Sequence, residues 1–185
     1  MKVSFAPALL APLCLLALAA CDDHDMMHDG DANHACDLVA DGPSLAVVAA
    51  MPGSATAPAV SSDDKRYDIR LPVGEPMSGS GVGSGVGSGV GERGFDGVVS
   101  LPVSRAGDYT LYFTADAQVS VTAADGTVVD MGAMVMPVAG CSEALYHGLT
   151  YTLTVGTYTV RVGSSSVENL SLIIEPAAGD AGHAH

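Results

Sequence analysis

The chain has 185 residues, 21 acids, seven Lys or Arg and six histidines, for a formal net charge of -14. A surface so acidic is repelled by nucleic acid and by anionic head groups, so no nucleic-acid role is expected and the favoured charged partners are metal ions or basic proteins. Trp is absent, which counts against a surface built for glycan stacking.

"MKVSFAPALLAPLCLLALAAC" opens with Lys2 as its only charge and runs apolar from Phe5 to Ala20. The run is short for a membrane span and no charged stop-transfer flank follows, which predicts a secretory signal over residues 1–20. Leu18, Ala19, Ala20 and Cys21 resemble the bacterial lipobox. The resemblance implies that the Cys21 thiol takes a diacylglycerol group and that cleavage leaves Cys21 as residue one, its amine often acylated too. Several acyl chains anchor stably, at about 0.8 kcal/mol per buried methylene. The expected location is therefore the bacterial cell envelope, on the periplasmic face of the inner or outer membrane or on the cell surface. Asp22 after the acylated cysteine implies, in some Gram-negative lipoproteins, retention at the inner membrane. Cleavage removes one base, Lys2, and no acid, so the net charge moves from -14 to -15.

Residues 21–35, "CDDHDMMHDGDANHA", are rich in charge and lack aromatics, as a polar tether should. They also hold His24, His28 and His34, while His183 and His185 close the tail at 177–185. Five of six histidines near the chain ends are hard to attribute to a core. Imidazole, carboxylate and thioether together suit Zn or Cu, so transition-metal binding at the termini stands beside the tether reading. Calcium fits poorly. Asp29, Asp31 and Asn33 begin like an EF-hand loop, but His34 stands where glycine is needed and no Glu closes it.

With Cys14 lost in the signal and Cys21 acylated, Cys36 and Cys141 remain, and two thiols in an exported chain are most simply a disulfide. A competing reading joins them to His34 and His147 in a Cys2His2 site, against the usual spacing. The disulfide would fix His34 near His147, where both imidazoles could share a mononuclear metal.

From Leu45 onward the dominant period is two. "LAVVAA", "RYDIRLP", "FDGVVSLP", "DYTLYFT", "QVSVTA", "TVVDM", "LTYTLTV", "TYTVRV" and "NLSLIIE" alternate apolar with polar residues and are bounded by Gly, Pro, Asp and Ser. Asp125-Gly126 predicts a hairpin with positive φ angles. The repeated Gly-Ser-Gly-Val phrase at 78–91 reads as a flexible loop. No stretch after the signal has the length and period of an amphipathic helix. The fold class is all-β: an antiparallel two-sheet β-sandwich, jelly-roll-like, of about eight or nine strands over residues 36–176.

"RAGDYTLYF" and "TVGTYTVRV" echo each other, each placing a glycine before a tyrosine that would enter the core at a strand start. Gly107 and Gly156 are expected to turn the chain sharply there. The phrase resembles the pre-peptidase C-terminal family of bacterial β-sandwich domains over residues 67–175. Lipobox, His-rich ends and sandwich together resemble predicted bacterial lipoproteins.

Catalysis needs a constellation, and none assembles: His147 has no Gly-x-Ser-x-Gly elbow with it, and no carboxylate pair is distinguished by spacing. The expected function is a non-catalytic, lipid-anchored envelope protein that binds or buffers Zn or Cu through His24, His28, His34, His147, His183 and His185. The alternatives are a binding or adhesion module, for which Tyr112 and Tyr146 are candidate exposed aromatics, and an accessory domain of an envelope enzyme or transporter.

Overall fold

The computed structural model describes residues 29–74, 94–136, 138, 141 and 144–177. One helix, α1 (Asp29–Asp41), precedes ten strands: β1 (Ser44–Val48), β2 (Arg66–Arg70), β3 (Phe95–Val103), β4 (Gly107–Phe113), β5 (Gln118–Ala123), β6 (Val128–Val129), β7 (Met131–Val135), β8 (His147–Leu153), β9 (Gly156–Ser165) and β10 (Asn169–Pro176). They form a six-stranded sheet in the order β1-β2-β10-β4-β8-β7 and a four-stranded sheet in the order β3-β9-β5-β6. All neighbours are antiparallel except β1 and β2, which run parallel. The all-β sandwich expected from the period of two is present.

The main core lies between the sheets. Tyr67, Ile69, Leu111, Phe113, Leu149, Tyr151 and Leu172 from the larger sheet meet Val99, Leu101, Val121, Val160 and Val162 from the smaller. Each of these alternates with a residue on the opposite face, which is why the strands were visible as periodic sequence. "TVVDM" is the exception. Val128 and Val129 pair with β5 in the smaller sheet, whereas Met131 to Val135 pair with β8 in the larger, so the chain changes sheet at Asp130 and the strand count rises to ten.

The hairpin at Asp125-Gly126 is present with one adjustment. Only Gly126 has a positive φ, 87°, and its N–H donates to the Ala123 carbonyl while the Thr127 N–H donates to the Asp125 carboxylate. The two echoing tyrosines do enter the core. Tyr109 donates its hydroxyl to the Arg105 carbonyl at 2.8 Å, and Tyr158 closes a matching loop onto the Thr154 backbone. Neither Gly107 nor Gly156 has a positive φ, so the tyrosine hydrogen bonds, rather than glycine geometry, shape these two corners.

The outer face of the larger sheet carries a second apolar cluster: Tyr112 and Ile173 from the sheet, Ala35 and Leu38 from α1, and Val138 and Leu145 from the segment before β8. The helix corrects the expectation that none follows the signal, and it claims residues 29–35 of the expected tether. Its sequence is half polar and would be marginal alone at 13 residues. Contacts with remote parts of the chain hold it. Ala35 and Leu38 pack on the sheet, the Arg66 guanidinium donates to the Val39 carbonyl at 2.5 Å near the helix C-terminus, and Cys36 is disulfide-bonded to Cys141 with Cα atoms 5.7 Å apart. Gly42 ends the helix where any Cβ would meet the Leu38 carbonyl oxygen at 2.6 Å.

Candidate functional site

Cys21, His24, His28, His183 and His185 lie outside the described residues. Of the six candidate histidines, the structure describes His34 and His147.

His34 stands on α1, one residue from the buried Ala35 and two from Cys36. Its Nδ1 lies 2.8 Å from Oε1 of Glu175, a buried carboxylate near the end of β10. When Glu175 is ionised its carboxylate only accepts, so Nδ1 supplies the hydrogen of this contact, and in the neutral imidazole Nε2 then carries the lone pair. The His34 side chain is 45% exposed and the Glu175 side chain 10%. Glu175 follows Ile173 by two residues and therefore shares its outer face.

His147 begins β8 directly opposite Phe113 of β4. Phe113, Leu149 and Tyr151 all belong to the core between the sheets, so His147 faces inward. It is 3% exposed, and its ring packs against Phe113 at 5.3 Å and Tyr146 at 5.4 Å between centroids. Its Nε2 is buried and has no hydrogen-bond partner among the described residues. Burial pushes the His147 pKa below the ordinary imidazole value, against the opposing charge of Asp116.

The disulfide forms as expected, yet the shared site it was expected to build does not. His34 reaches the sheet from outside at Glu175, which pairs with Thr110, while His147 pairs with Phe113 and faces inside. Three residues of strand, about 10 Å, and the thickness of the sheet separate them. The Cys2His2 reading fails with it, because both thiols are consumed in the disulfide. Among the described residues, no group of three or more His, Cys, Asp or Glu side chains is placed to hold a metal ion.

No protein-family model matches this chain, and no curated protein matches its sequence. The likeness to pre-peptidase C-terminal domains and to lipoproteins therefore rests on the quoted residues alone.

One feature escaped the sequence reading. Where β7 overhangs the edge of the smaller sheet, an open cleft of about 560 Å³ is lined by Met131, Met134, Met136, Tyr146, His147 and Asp116, among others. Three methionines within six residues are its signal in the sequence, and two of them lie beyond the alternating stretch "TVVDM". Of the two candidate aromatics, Tyr146 is 40% exposed and Tyr112 is buried under α1.

Proposed function

We propose that this is a non-catalytic cell-envelope protein, anchored by lipid at Cys21, whose histidine-bearing chain ends bind a transition metal, zinc or copper, with His34 as the fixed ligand. The observation that carries this reading is the hydrogen bond between His34 Nδ1 and Glu175. Metal-ligating histidines characteristically donate their other ring N–H to a carboxylate, which fixes tautomer and ring orientation and raises basicity. His34 has that partner, and an Nε2 free to ligate.

The same contact brings the two ends of the domain together. His24 and His28 lie within ten residues of His34, and His183 lies eight residues beyond Glu175, at most about 28 Å of extended chain. Imidazoles from both ends are thus within reach of one ion beside α1. His147, walled off behind the sheet, has no part in this site.

Calorimetric titration with Zn²⁺ and Cu²⁺ tests the reading, using the mature chain with Cys21→Ser and a version lacking residues 22–28 and 181–185. Micromolar or tighter binding that is lost on trimming supports it. Equal binding by both chains, or none by either, refutes it and leaves the sandwich as a tethered binding module.

A further inference from the structure

Met131, Met134 and Met136 are 45%, 54% and 57% exposed along the outermost strand of the larger sheet. Side chains so exposed contribute little to the core, so their clustering needs another reason. The register supplies the geometry. Met131 is opposite Tyr151 and Met134 opposite Leu149, and residues opposed in an antiparallel ladder project to the same face. Continuing the ladder, Met136 comes level with His147. The three thioethers thus stand on the inward-facing side, in the cleft left open because β6, the last strand of the smaller sheet, is only two residues long.

His147 lines this cleft, and its buried Nε2 has no hydrogen-bond partner among the described residues. A buried polar atom left unsatisfied keeps its full desolvation penalty, which a ligand bond would offset. An imidazole nitrogen beside two neutral sulfurs is a soft donor set, suited to Cu⁺ and poor for Ca²⁺ or Mg²⁺. Methionine has three side-chain torsions, so the thioethers of Met134 and Met136, level with Leu149 and His147, can converge without moving the backbone, whereas Met131, level with Tyr151, stands about 13 Å along the strand from His147. Asp116 and Asp130 line the same cleft and supply negative charge toward a monovalent cation without having to ligate it.

We infer that Met134, Met136 and Nε2 of His147 form a Cu⁺ site on the inner side of the sandwich, separate from the histidines of the chain ends. It does not depend on metal binding by the termini.

The test is an oxygen-free titration of the mature chain carrying Cys21→Ser, with methionine methyls labelled with ¹³C. Cu⁺ is supplied in ascorbate and competed against a chromophoric Cu⁺ chelator. One equivalent of Cu⁺ is expected to shift the methyl signals of Met134 and Met136 and the ring signals of His147. The double change Met134→Leu, Met136→Leu keeps apolar volume and should leave Tm and Zn²⁺ binding unaltered. It should weaken Cu⁺ by more than about tenfold, since even partners outside the ligand shell cost that much. His147→Gln should weaken Cu⁺ likewise. Undiminished Cu⁺ affinity in the double variant, or Cu⁺ shifts confined to Met26 and Met27, overturns the inference. Zn²⁺ binding that is lost on trimming the chain ends while Cu⁺ binding persists would separate this site from the terminal one.

Discussion

The Tyr112 ring lies against Gly148, its direct partner across the β4–β8 ladder, so closely that a Cβ on Gly148 would stand 2.8 Å from Cε1 and 2.9 Å from Cδ1. Tyr112 is itself pinned in the outer apolar cluster beneath α1. Gly148 therefore lets the outer face close over the strand whose preceding residue, His147, faces the opposite core.

Gly148→Ala should force the tyrosine off its neighbours and destabilise the fold by about 1–3 kcal/mol, the usual cost of overpacking. Urea denaturation measures this directly. A midpoint unchanged from the parent chain would mean that the ring has room to move.

Reduction of Cys36–Cys141 releases a loop closed across 105 residues. Closure of a loop of that order is worth up to about 4.7 kcal/mol on the chain-entropy view. The helix depends on it most, being short and otherwise held by few side chains. In hydrogen exchange, amides of residues 32–41 should lose protection at lower reductant concentrations than those of β4, β8 and β10.

Asp68 gives the fold an acid limit. Burial raises its pKa, but hydrogen bonds from Ser171, Arg66 and Ser44 together hold it below the ordinary carboxylate value. A carboxyl depressed in the folded state adds stability above its unfolded pKa of about 3.9, and that stability is lost as pH falls through the lower folded value. Asp68→Asn should therefore be less stable than the parent at pH 6, with the gap closing toward pH 3. Denaturant midpoints across that range check it.

Glu175→Gln keeps the shape of the side chain while removing the charge that orients His34. If His34 is a ligand, Zn²⁺ affinity should fall about 10- to 100-fold, as it does when such supporting carboxylates are lost. An unchanged affinity would separate His34 from the metal.

The strands were legible because each presents one face to a core, so Tyr151, Leu153 and their polar neighbours alternate in the sequence itself. Helix α1 was not, since its buried contacts are mainly Ala35 and Leu38 among aspartates, and its stability comes from a sheet, an arginine and a disulfide remote in sequence. The pairing of Cys36 with Cys141 could be counted from the cysteines. Which face each neighbouring histidine would take could not, because that depends on register: one step along β8 exchanges the inner face of His147 for the outer face of Gly148. The carboxylate behind His34 was equally hidden, 141 residues away in the chain.

The most direct measurement is the ¹H–¹⁵N spectrum of the histidine rings in the mature chain as Zn²⁺ is added. Metal held between the chain ends predicts that His34 shifts together with rings of His24 or His28 and of His183 or His185, with saturation at one equivalent, while His147 stays unmoved. Shifts at His147, or a response confined to one end of the chain, would contradict a metal shared by the two termini.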